Sequence, residues 1–93
     1  MFISIALDLA SPDSEKAVQK ILGEYGIVKI QKNIYESFDF PSKRLGNLKK
    51  DLTDVIDMDD KIRIYQYPLD KCFKISYIQD RKWKRLSISS EVS

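Results

Sequence analysis

The sequence contains no histidine and only one cysteine, Cys72. Without an imidazole, histidine general acid or base chemistry is excluded, as are Ser-His and Cys-His nucleophilic pairs and every histidine-containing zinc site. A lone thiol closes no internal disulfide and builds no paired-cysteine metal site, so Cys72 reads as a small buried apolar residue. Long hydrophobic runs are missing too: nothing approaches the roughly 20 apolar residues that a bilayer span requires. The apolar start from Phe2 to Leu9 carries Asp8 and no basic leader, which does not fit a cleaved signal and points to a cytoplasmic chain. Any hydrolytic chemistry must therefore rest on carboxylates and a hard cation, with Lys and Arg left to stabilise developing charge.

What is present suits one compact soluble domain: 93 residues, 43% of them hydrophobic and 32% charged. The formal net charge of +2 conceals an asymmetry, with 8 basic against 11 acidic side chains in residues 1–60 and 8 against 3 in residues 61–93. The densest cationic run, Arg81-Lys82-Trp83-Lys84-Arg85, sets an aromatic among four positive charges. That composition suits phosphate contact combined with base stacking, and equally a solvated segment anchored by its tryptophan. The expected organisation is a single domain over residues 1–78 followed by a basic tail, 79–93.

Phe2-Ile3-Ser4-Ile5-Ala6-Leu7 is short and rich in β-favouring residues, as a central strand would be, and it ends at Asp8. Ser11 then offers an N-cap, Pro12 sits where a missing N–H costs nothing, and Asp13 and Glu15 suit a first turn. Ala17, Val18, Ile21, Leu22 and Tyr25 recur at helical spacing before Gly26, so a helix is predicted over 12–25. From Ile27 to Phe38 the period shortens to two, interrupted at Lys32-Asn33, which predicts two short strands or one sharply bent pair. Pro41 opens a second helix carrying Leu45, Leu48, Leu52, Val55 and Ile56 on one stripe. Lys61 to Tyr67 alternates again as a strand, and so does Phe73, Ile75 and Tyr77.

The predicted order is β-α-β-β-α-β with one additional C-terminal strand, an α+β chain matching the ferredoxin-like arrangement of two helices on one face of an antiparallel sheet. That order serves many functions. RNA-recognition modules carry an aromatic Lys/Arg-Gly-Phe/Tyr octapeptide that is missing here, and metallochaperones need paired cysteines.

Three segments stand in order along residues 1 to about 69: Ile5-Ala6-Leu7-Asp8-Leu9, a first strand ending in aspartate and followed by a helix that closes at Tyr25-Gly26; Ile30-Gln31-Lys32-Asn33-Ile34-Tyr35-Glu36; and Ile62-Arg63-Ile64-Tyr65 with Pro68-Leu69 beyond. Together they resemble a known family, CRISPR-associated protein two. Two departures stand out. Leu7 occupies a position that is commonly aromatic in the family, and Ser14, Glu15 and Ala17 stand where many members place arginines.

An acid at a strand end is on its own as much a helix cap as a ligand, and one carboxylate holds Mg²⁺ poorly. The resemblance implies a homodimer in which Asp8 from each copy meets near the twofold axis, making Asp8 the expected catalytic and metal-binding residue of a Mg²⁺-dependent endonuclease on RNA or double-stranded DNA. It also implies a partner, the CRISPR-associated integrase. Lys29, Lys32, Arg44, Lys49, Lys50, Arg63, Arg81, Lys82, Lys84 and Arg85 are candidates for phosphate contact, and Tyr35 for stacking. Ser11 is expected to cap its helix rather than orient Asp8. Asp51, Asp54, Asp57, Asp59 and Asp60 read as a solvated helix end, since no EF-hand glycine or terminal glutamate accompanies them. The other readings are a non-catalytic duplex-binding scaffold for the integrase and a toxin ribonuclease of the virulence-associated protein D kind.

Overall fold

The computed structural model describes residues 1–67 and 72–89. Its elements are β1 (Phe2–Asp8), α1 (Pro12–Glu24), β2 (Val28–Gln31), β3 (Ile34–Ser37), a short 3-10 turn (Ser42–Arg44), α2 (Leu45–Val55), β4 (Lys61–Tyr67), β5 (Cys72–Gln79) and β6 (Lys82–Ser89). The chain is α+β, with six strands in one sheet of order β2-β3-β1-β4-β5-β6 and every neighbouring pair antiparallel. The β2-β3-β1-β4 portion, with α1 and α2 as connections, is consistent with a ferredoxin-like arrangement.

Strand β1 is central, and period-two burial defines its two sides: Ile3, Ile5 and Leu7 are buried, whereas Phe2, Ser4 and Ala6 are half-exposed. The buried set joins Val18 and Leu22 of α1, Leu48 and Leu52 of α2, and Ile62, Ile64 and Ile78 in one core. Truncating a fully buried member such as Ile5 to alanine costs about 2–5 kcal/mol.

Helix α1 begins as its sequence predicts, with the Ser14 N–H donating to Ser11 Oγ at 3.1 Å and Pro12 in the first turn. It ends at Glu24 with Tyr25 as C-cap, and Gly26 just beyond takes a φ of +73°, the left-handed geometry that glycine tolerates best. The 27–38 segment is a pair of strands, turned at Asn33 (φ +66°) and irregular between Lys29 and Gln31. Pro41 precedes the 3-10 turn, and α2 proper begins four residues later, at Leu45.

The C-terminal third departs from expectation. Two strands, not one, follow β4, and most of the segment expected as a basic tail is β6, paired with β5 from Cys72↔Ser89 to Gln79↔Lys82. Among the described side chains of β6 only Trp83 is half-buried and the rest are exposed, so Lys82, Lys84 and Arg85 leave no alternation to read: an outermost strand keeps charged side chains in water on both faces. The expected burial of Cys72 lies outside the described side chains.

Candidate functional site

Asp8 shares the side of β1 that points away from the core, and it is exposed. Antiparallel register sets Lys61 opposite Asp8 and Arg63 opposite Ala6. These residues border a groove of about 320 Å³ lined by Ala6, Leu7, Asp8, Lys61, Ile62, Arg63, Tyr77, Ile78 and Gln79. The Arg63 guanidinium lies 5.9 Å from the Tyr65 ring centroid and 5.4 Å from that of Tyr77, cation–π geometry that steadies a long side chain at the groove wall. Lys61 and Arg63 supply donors for a phosphate, and the Asp8 carboxylate among them is an acceptor that suits a cation or a hydroxyl. A single chain does not meet the oxygen demand of Mg²⁺ there, and among the described residues no group of three or more Asp, Glu, Cys or His side chains could hold a metal ion.

The loop after Asp8 is tied down by an acid expected to be solvated. Asp60 is fully buried; its Oδ1 accepts from the Ala10 N–H at 2.7 Å and its Oδ2 from the Asp57 N–H at 2.9 Å. Burial pushes the Asp60 pKa up, but these two amides and the Ser14 hydroxyl outweigh it and hold the carboxyl below its ordinary range. Asp51 is engaged too, accepting from the Tyr25 hydroxyl at 2.7 Å, and this bond, with burial, raises the phenol's pKa. Only Asp54, Asp57 and Asp59 form the exposed helix end that was expected of all five.

Sheet order distributes the predicted cations. Lys29 and Lys32 lie at the β2 edge, across the sheet from β6. Tyr35 is 5% exposed within the core and offers no free face to a base, because its place in β3 opposite Ile5 turns it inward. Arg44 stacks over Tyr25, 4.4 Å from the ring centroid, and Lys50 is exposed on α2.

The remaining cations form two groups. On the Asp8 side, cross-strand register runs Arg63↔Tyr77↔Lys84, with Lys61 and Lys82 nearer the strand ends. On the opposite side, Trp83 Nε1 donates to Thr53 Oγ1 at 2.9 Å, Lys49 Nζ sits 5.4 Å from the Trp83 ring centroid, and Arg81 donates to the Thr53 carbonyl at 3.0 Å. Burial and the neighbouring Arg85 lower the Lys49 pKa. Lys61, Tyr77 and Gln79 were not singled out from the sequence. Alternation puts Lys61 and Arg63 on one side of β4, but nothing local says that this side faces Asp8.

An aromatic row occupies the other end of the same sheet face. Phe2 lies 5.1 Å from Phe38 and 5.2 Å from Tyr67, and Tyr67 meets Phe73 edge-on at 4.5 Å between centroids. Phe38 is 78% exposed and Tyr67 40%. No helix among the described residues is long and apolar enough to cross a membrane.

No curated protein and no solved structure is matched by this chain. The profile of the family described as CRISPR associated protein Cas2 matches residues 1–75, which takes in β1 with Asp8, both helices and β4. The chain belongs to the CRISPR associated protein Cas2 family.

Proposed function

We propose that this protein binds nucleic acid as a homodimer in CRISPR adaptation, the two copies packing through the sheet face that carries Phe2, Phe38 and Tyr67. In that assembly each Asp8 faces its counterpart, and the pair supplies the two carboxylates that one chain lacks. The observation that carries this reading is the Asp8 groove, an exposed acid with Lys61 and Arg63 beside it at the open end of the central strand. Lys61 and Arg63 hold phosphate oxygens of the bound strand, and Tyr65 and Tyr77 hold Arg63. Mg²⁺ bound between the acids would polarise a phosphodiester and acidify a water, which removes any need for histidine.

A second reading, a duplex-binding scaffold for the CRISPR integrase without cleavage, is favoured by the two cations that line the same groove as the acid. The family assignment favours either reading over a free-standing toxin ribonuclease.

The deciding experiment pairs cleavage and binding measurements on the wild type and Asp8→Ala. Mg²⁺-dependent cleavage of RNA or duplex DNA that disappears in Asp8→Ala supports the catalytic centre. Absence of cleavage together with salt-sensitive duplex binding that Asp8→Ala leaves intact supports the scaffold. Arg63→Ala is expected to weaken binding and reduce the slope of log affinity against log salt by about one. Failure of the wild type to bind any nucleic acid would overturn both readings.

A further inference from the structure

Asp60 is an acid without a place in the groove, yet it is the most completely buried ionisable group among the described residues, with none of its surface exposed. A buried carboxylate persists only where donors surround it. Its two backbone donors come from separate parts of the chain, the Ala10 amide just beyond β1 and the Asp57 amide in the turn after α2, and Ser14 in the first turn of α1 adds a polar neighbour. The residue after Asp60 is Lys61, the register partner of Asp8. The end of β1 is thus held twice within three residues, once by the β1–β4 ladder at Asp8 and once by the Asp60 side chain at Ala10.

We infer that Asp60 is a positioning residue for Asp8: by grasping the Ala10 amide it sets the path of the chain leaving β1, and with it the aim of the Asp8 carboxylate across the groove. The inference rests on the reading of Asp8 as the working carboxylate. It gives the buried acid a task beyond filling space, because an isolated apolar side chain would fill the same volume without fixing Leu9 and Ala10 in one direction. Exposed loop residues such as Ala10 otherwise have little to restrain them.

The test uses the full chain with Asp60→Ala and the near-isosteric Asp60→Asn, which keeps one carbonyl acceptor. N–H residual dipolar couplings in a weakly aligned sample report the direction of Asp8, Leu9 and Ala10. Amide exchange reports the Ala10 hydrogen bond, and broadening by Mn²⁺ reports cation contact at Asp8. In Asp60→Ala the couplings of Leu9 and Ala10 are expected to change while those of Ile3 to Leu7 stay put. Ala10 exchange is expected to accelerate about tenfold or more, the factor that one net buried hydrogen bond is worth. Asp60→Asn should fall between Asp60→Ala and the wild type. Ser14→Ala, which removes only a hydroxyl neighbouring the Asp60 carboxylate, keeps the question answerable if Asp60→Ala does not fold, and is expected to shift the same signals by less. A drop in melting temperature with unchanged couplings and unchanged Ala10 exchange would overturn the inference, since a merely structural acid moves only stability. Absence of Mn²⁺ broadening in the wild type would instead count against the metal reading of Asp8, leaving couplings and exchange to judge Asp60.

Discussion

Two aspartates close to the end of β1 live in opposite surroundings, and their chemistry differs accordingly. Asp8 is exposed with a lysine across the ladder, so its removal should leave stability within about 0.5 kcal/mol of wild type in urea titrations. Asp60 is buried with its oxygens accepting from backbone amides, and its replacement by alanine strands those donors at a cost of about 2–4 kcal/mol. Because its folded pKa is lowered, the stabilisation is complete above the unfolded value of 3.8 and is lost as pH falls through the lower folded value. The stability gap between the wild type and Asp60→Asn should therefore shrink as urea titrations are repeated at pH values below 3.8. From sequence alone Asp60 is one acid of five in ten residues. Its partner Ala10 lies 50 positions away, a distance over which local pattern says nothing.

Among the elements, β6 and α2 show how a basic run can serve packing. Trp83 reaches over to α2, bonding Thr53 and stacking near Lys49, while Arg81 satisfies the Thr53 carbonyl in the last turn of that helix. The hairpin makes this possible by turning at Asp80 and Arg81, both at positive φ (54° and 59°), the geometry of a tight two-residue connection. Trp83 is only half-buried, so Trp83→Ala is expected to cost about 2 kcal/mol, less than a fully buried aromatic, as denaturant titration would measure. Lys49 carries a lowered pKa from burial first and Arg85 second; Arg85→Gln should move its titration, followed by NMR of the side chain, part of the way back towards 10.5. Helix α1 was readable almost to the residue because its signals are local: a serine cap, a first-turn proline, a stripe and a terminal glycine. Strand β6 was not, because its pattern of lysine and arginine is the same whether the segment is solvated or pairs with β5 at the sheet margin.

Considered whole, the molecule has one sheet face committed to its core and another that ends in aromatics at one side and charge at the other. Phe2 and Asp8 close the two ends of β1, about 20 Å apart at the rise of an extended strand. A second copy laid on this face would bury Phe38 and Tyr67 and bring the Asp8 grooves together, so the proposed dimer and the proposed centre stand or fall on the same surface. Phe38→Ser separates dimer from fold: its side chain is 78% exposed, so monomer stability should change by less than about 0.5 kcal/mol, whereas dimer affinity in analytical ultracentrifugation should fall about tenfold or more. A dimer indifferent to Phe38→Ser would place the contact elsewhere.

Local chemistry was sufficient for the first helix, the cap at Ser11 and the exclusion of histidine-based chemistry, where spacing and side-chain type within a few positions carry the information. The α+β class needed the order of all the elements, and Asp8 stood out from the other acids only through the ordered resemblance over residues 1 to about 69. Which cations stand beside Asp8, that Tyr35 turns inward, that Asp60 grips Ala10 and that the basic run is a strand all depended on segments meeting across the sheet. Register and strand order arise from the sum of many weak burial terms spread over the whole chain, so no short stretch of residues encodes them.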